Sequence, residues 1–172
     1  MTIGVAISLG SEGAVLACDS RITEGSSIFV DDCQKWLVTG SVVSVVAGKD
    51  GGLMDAIRGV KNFQELHTAA MDYTHGRDLN WCLLSYDRPS SQLVYLDSDG
   101  LLQPLGRQGA IGCGSATAKG VLAVSKAPRS LEQAAKVARK ACEVTCQHDV
   151  LCGGKINVVV VPPGRKKKPY LV

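Results

Sequence analysis

Thr2-Ile3-Gly4-Val5-Ala6-Ile7-Ser8, the turn Ser11-Glu12-Gly13 and the run Ala14-Val15-Leu16-Ala17-Cys18 decide how this chain is read. Two apolar, β-prone segments joined by a tight turn predict a hairpin, so the chain opens inside its sheet. A second strand pair is expected over 27–30 and 36–38, and a further strand over 41–46 that stops at Ala47-Gly48. The period then changes. Leu53, Ile57 and Val60, then Leu66, Ala69 and Ala70, recur at helical spacing with a break near Asn62, which predicts two short helices. Strands return at 81–86 and 92–96, with a turn at Asp97-Ser98-Asp99-Gly100, and again at 109–113. Gly114-Ser115 leads into a helix over 116–125. Ser130 with Gln133 forms a capping box for a long helix to about His148, whose apolar stripe is Leu131, Ala134, Ala135, Ala138, Ala141 and Cys142. A continuous apolar strand at 156–161 ends at Pro162-Pro163.

Strands, a helix pair, strands, a second helix pair and a last strand suit an α+β fold. Both helix pairs are amphipathic, so each covers one sheet, giving a four-layer αββα sandwich of two antiparallel sheets. One domain is expected over 1–164, followed by a basic C-terminal tail over 165–172 read as a solvated end.

At 172 residues and 18.1 kDa, with 45% hydrophobic and 20% charged residues, the chain can bury one full core. That excludes disorder, collagen-like repeats and a miniature disulfide scaffold. The formal charge is +3, but Arg165, Lys166, Lys167 and Lys168 supply four positive charges and leave −1 for the body. The body is therefore no electrostatic binder of nucleic acid. Seven cysteines, an odd number without regular spacing, point to a reducing cytoplasm. The first eight residues lack the pattern of a signal peptide, and no apolar run approaches the ~20 residues of a membrane span, so neither export nor a membrane partner is expected.

Several motifs, taken together and in order, resemble proteasome β-type subunits. They are Thr2-Ile3-Gly4-Val5-Ala6, then Gly13-Ala14-Val15-Leu16-Ala17-Cys18-Asp19-Ser20-Arg21-Ile22-Thr23, then Gln34-Lys35-Trp36 and Val46-Ala47-Gly48. Further on, Ile111-Gly112-Cys113-Gly114 is similar to the family's I/V-G-S-G turn, and His148-Asp149-Val150-Leu151-Cys152-Gly153-Gly154 to its R-D-x-x-S-G-G loop. Each motif alone is weak; their order across the chain to Val161 is specific.

The resemblance implies the N-terminal nucleophile (Ntn) hydrolase fold and a threonine peptidase. Removal of Met1 would leave Thr2 with a free α-amine beside its own hydroxyl. An unperturbed α-amine has a pKa of about 7.7 to 8.0, close enough to neutrality to serve as general base for Thr2 Oγ1. Lys35 would favour the developing charge, Asp19 would hold Lys35, and the Gly48 N–H would serve the oxyanion. The Asp19–Lys35 separation suits facing positions on adjacent strand pairs. Asp149 would stand near the amine. Thr23 would pair with substrate as an added strand, and Ile22, Cys33 and Val46 would line an apolar first pocket with Asp50 at its rim.

Two departures stand out. Cys113 and Cys152 occupy positions where the family has serines around the amine, and thiols are poor hydrogen-bond partners. The hairpin tip at Gly10 to Gly13 carries one extra residue. The resemblance further implies homo-oligomeric stacked rings, as in the bacterial HslV-type peptidases and related small proteasome homologues, with an unfolded protein or peptide as substrate and an ATP-dependent unfoldase or activator as a further partner. A catalytically inactive structural ring subunit of the same fold is the alternative. An α-type subunit is disfavoured because Thr2 leads straight into a strand. No cofactor or metal is expected: Cys142, Cys146, His148 and Cys152 have spacings that suit zinc, but Cys142 and Cys146 lie on the apolar face of the long helix and read as small core residues. His67 and His75 have no ligand-type companions and read as surface residues.

Overall fold

The computed structural model describes residues 2–24, 27–49, 52–164 and 167–172. Strand β1 (Ile3–Ser8) turns through a single 3₁₀ turn, Gly10–Glu12, into β2 (Ala14–Cys18). A five-stranded antiparallel sheet grows on this hairpin. β10 (Gln108–Gly112) lies on the free edge of β1, β11 (Asn157–Val161) on that of β2, and β12 (Tyr170–Leu171) beyond β11. The second five-stranded sheet runs in chain order: β5 (Trp36–Thr39), β6 (Val42–Lys49), β7 (Asn80–Asp87), β8 (Gln92–Asp97) and β9 (Leu102–Leu105).

Alternation along the strands builds three apolar layers. Ile3, Val5 and Ile7 of β1, Val15 and Ala17 of β2, and Val158 and Val160 of β11 face α3 (Ser115–Val124) and α4 (Leu131–His148). The opposite faces of these strands, with Ala6, Leu16, Cys18 and Val159, pack against Val43, Val45, Leu84 and Tyr86 of the second sheet. The outer face of that sheet, with Val46, Trp81 and Leu83, is covered by α1 (Leu53–Ala56) and α2 (Phe63–Thr74). The architecture is therefore α+β with four layers ordered αββα, as the sequence predicts. Because both faces of each central strand are covered, 14–18 and 158–161 read as unbroken apolar runs.

Both long helices carry side-chain caps. Ser130 accepts from the Gln133 amide, and Gln133 reaches back to the Arg129 amide. Asn62 does the same for α2, accepting from Glu65 N at 2.9 Å while Glu65 binds the Lys61 amide. The break near Asn62 is thus a helix start.

Three expectations need correction, and one strand, β9, was not expected. The segment 27–30 (β4, Ser27–Val30) does not pair with 36–38; it pairs with β3 (Ile22–Glu24), a three-residue strand too short and polar to show a period. β6 does not stop before Ala47-Gly48 but continues to Lys49. β9 contains Pro104, which a central strand would not accommodate; it lies at the edge of its sheet, where a missing N–H is tolerated. The end of the tail is not a free solvated segment: Tyr170 and Leu171 pair with β11, and Arg139 donates to the Val172 carbonyl at 2.6 Å.

Candidate active site

Asp19 is the centre of a buried polar node where the ends of the two sheets meet. It follows β2, is fully buried, and spends its two carboxylate oxygens on three donors. Oδ1 accepts from the Ile3 amide at 3.1 Å and from Lys35 Nζ at 2.8 Å, and Oδ2 accepts from the Gly153 amide at 2.9 Å. Lys35 is itself only 5% exposed and also donates to the Arg21 carbonyl. A buried carboxylate without such partners would cost several kcal/mol, so the set of donors is what permits it. Asp19 and Lys35 do not face each other from within strands, as their spacing suggested. Each lies just outside one, after β2 and before β5, in different sheets.

Thr2 is 5% exposed and directly precedes the amide that Asp19 binds. Its carbonyl oxygen lies 3.5 Å from Cys113 Sγ. Gly112, paired with Ile3 across the β1–β10 ladder, has φ +89°, and a Cβ there would run into the Thr2 carbonyl. We expect Gly112→Ala to lower stability by at least about 2 kcal/mol, read as a lower urea midpoint at unchanged m. An unchanged midpoint would show that this close approach is not maintained in solution.

Cys113, Asp149 and Cys152 form a second group next to Thr2. The two sulfurs are 3.4 Å apart, and Cys152 Sγ is 3.6 Å from Asp149 Oδ2. Asp149 caps the end of α4, and its Oδ1 accepts from the Leu151 amide at 2.9 Å. Burial alone would raise the Asp149 carboxyl, but the Leu151 amide and the two thiols outweigh it, so the group titrates below its ordinary range. Burial pushes the Cys152 thiol well up.

Gly48 lies near the end of β6 with φ +105°, and a Cβ there would meet the Asn80 carbonyl. The Val46 amide donates to the Lys35 carbonyl at 2.9 Å. By the two-residue period of the strand, the Gly48 N–H points to that same edge, past the start of β5. Of the expected pocket residues, Ile22 and Thr23 are half-buried on β3. Cys33 is held by its amide on the Ser20 carbonyl at 2.9 Å. Val46 is largely absorbed by the core under α1 and α2. Asp50 and Met1 lie outside the described residues.

Arg21, within the motif Gly13 to Thr23, is a functional residue that the sequence did not single out. Its guanidinium binds Asp31 Oδ1 at 2.7 Å and the Val150 carbonyl at 3.1 Å, and its amide binds the Gly153 carbonyl at 3.0 Å. Arg21 therefore staples the loop that delivers Asp149, Cys152 and Gly153. Its partners are 10 to 132 positions away, beyond any local pattern. The other cysteines of the rejected zinc spacing do behave as core: Cys142 is buried, and burial pushes Cys146 up to about 11.

Two antiparallel sheets between helix pairs, with the first strand's start enclosed by buried polar groups, define the N-terminal nucleophile hydrolase fold. No family model matches the chain. It is similar to proteasome subunit beta type-5 of Gallus gallus, 28% identical over 177 aligned positions covering 89% of this chain and 68% of that protein. It is also similar to proteasome subunit beta 1 of Pyrobaculum neutrophilum, 29% identical over 185 positions covering 93% and 89%. The chain is a homologue of proteasome β-type subunits. Among the described residues, no helix is long and apolar enough to cross a membrane.

Proposed function

We propose that this chain is the threonine endopeptidase subunit of a ring-shaped, homo-oligomeric, self-compartmentalising complex of the cytoplasm that cleaves unfolded proteins or peptides. The observation that carries the reading is the buried Asp19 node. It ties Lys35 to the amide immediately after Thr2, at the start of a strand held on both sides. Once Met1 is removed, Thr2 Oγ1 attacks the scissile carbonyl carbon and its proton passes to the Thr2 α-amine. The tetrahedral oxyanion is met by the Gly48 N–H, and the protonated amine then hands its proton to the leaving amine. Water, activated by the same amine, releases the acyl group. Lys35 positions charge beside these steps without itself giving up a proton.

Substrate would pair with Thr23 and place an apolar residue among Ile22, Cys33 and the edge of Val46. Two stacked rings would enclose the Thr2 sites, and an ATP-dependent unfoldase or activator would feed them. Support for assembly comes from the names of the relatives, both proteasome β subunits.

The second reading, a silent structural ring subunit, draws on one observation: thiols rather than hydroxyls border Thr2. Intact mass separates the two readings. Loss of Met1 is expected, whereas a retained Met1 blocks the amine and leaves only the structural role. Because hydroxyls are better hydrogen-bond partners than thiols, Cys113→Ser and Cys152→Ser should preserve or raise peptide turnover. A rate abolished by either change would assign the thiols a role of their own.

A further inference from the structure

We propose that Cys113, Asp149 and Cys152 form a three-ligand site for a borderline-soft divalent metal ion of the zinc type, with its open position turned toward Thr2. The ligand atoms of these three residues all lie within 4.8 Å of one another. Their spacing is informative. With Zn–S of about 2.3 Å and Zn–O of about 2.0 to 2.2 Å, tetrahedral coordination sets two sulfurs about 3.8 Å apart and a sulfur and an oxygen about 3.6 Å apart. Here the S···S separation is 3.4 Å and the S···O separation 3.6 Å. The sulfurs are therefore too far apart for the ~2.0 Å of a disulfide bond and need open by only a few tenths of an ångström to become two edges of such a polyhedron. Both thiols are free.

The donor set suits the ion, since thiolates select zinc over the magnesium and calcium that oxygen-rich sites favour. The carboxylate is also oriented for the task. Leu151 N–H holds Asp149 Oδ1, leaving Oδ2 turned toward the sulfurs, as an outer hydrogen bond orients a ligating group in known metal centres. Cys113 is exposed, so an ion has a way in, while Cys152 and the Arg21-stapled loop form the floor. On loading, each thiol releases its proton to solvent and both sulfurs bind as thiolates; no electron is transferred. The fourth vertex lies on the Thr2 side, where Cys113 Sγ already stands 3.5 Å from the Thr2 carbonyl oxygen. A water or the α-amine of a processed Thr2 would fill it. An amine whose lone pair is given to zinc cannot accept the nucleophile's proton, so the ion would inhibit reversibly. That consequence rests on the peptidase reading; the metal site does not.

Titration of the fully reduced protein, its thiols counted beforehand, with Co²⁺ alone tests the site without reference to turnover. A thiolate-to-cobalt charge-transfer band saturating at one ion per chain is expected, retained in Cys146→Ala and lost in the Cys113→Ser/Cys152→Ser double variant. Zn²⁺ should bleach the band. A measurement that needs no variant is alkylation of Cys113 followed by peptide mapping, which Zn²⁺ should slow and a chelator restore. Absence of the band in reduced wild type, or its survival in the double variant, overturns the proposal. Zinc inhibition of peptide hydrolysis that the double variant resists would confirm the link to Thr2. A cobalt band without any peptidase activity would leave the metal site standing and sink the peptidase reading.

Discussion

Thr2→Ala will reduce hydrolysis of fluorogenic peptides bearing an apolar residue before the cleavage point to background, a loss of about 10³-fold or more. The size follows from one residue supplying both nucleophile and base. Alanine keeps the amine but leaves it no hydroxyl to activate, and Asp19 and Lys35 have no second nucleophile to serve. Thr2→Ser keeps the hydroxyl on the same atom and should retain a measurable rate. The alanine variant must fold as wild type does, because Asp19 grips the amide of Ile3 and not the side chain of Thr2. Equal peptide turnover in wild type and Thr2→Ala would end the enzymatic account.

Asp19→Ala should cost about 3 to 5 kcal/mol of stability, on the scale measured when one member of a buried ion pair is deleted. Three donors lose their acceptor at once: the ammonium of Lys35 and the amides of Ile3 and Gly153. Since a domain has only about 5 to 15 kcal/mol in hand, a substantial drop in urea midpoint and in soluble yield is expected. Asp19→Asn should fall between wild type and Asp19→Ala, because its amide offers one acceptor but turns a donor toward groups that are donors already. This prediction holds for a silent ring subunit as well as for an enzyme. A change below about 1 kcal/mol for Asp19→Ala would mean that the node does not hold the sheets together.

The layers were legible in the sequence because burial on one or two faces writes itself as period. The stripe from Leu131 to Cys142 and the apolar strand read at 156–161 each assigned their element, and the four-layer order followed. Pairing partners were less legible. Nothing in Ile22-Thr23-Glu24 announces that it, and not 36–38, takes up Ser27–Val30, and Pro104 and the lysine-rich tail conceal edge strands that only a neighbour makes regular. The site was legible as a set of residues, through the ordered motifs. Its geometry was not. That one carboxylate binds Ile3, Lys35 and Gly153 together, that Arg21 secures the loop after α4, and that the two thiols touch are all contacts between distant positions, set by topology and not by local pattern.

The span of the Asp19 contacts bears on how the protein is made. Its partners sit 16 positions away on either side and 134 positions further along, so the node closes a loop that spans most of the domain. Chains emerge from the ribosome N-terminus first, and long-range contacts close slowly. A nascent chain that has not yet released Gly153 can form its first hairpin but cannot complete the environment of its own second residue. The chain through Gly153 must therefore have left the ribosome before the amine end acquires its setting.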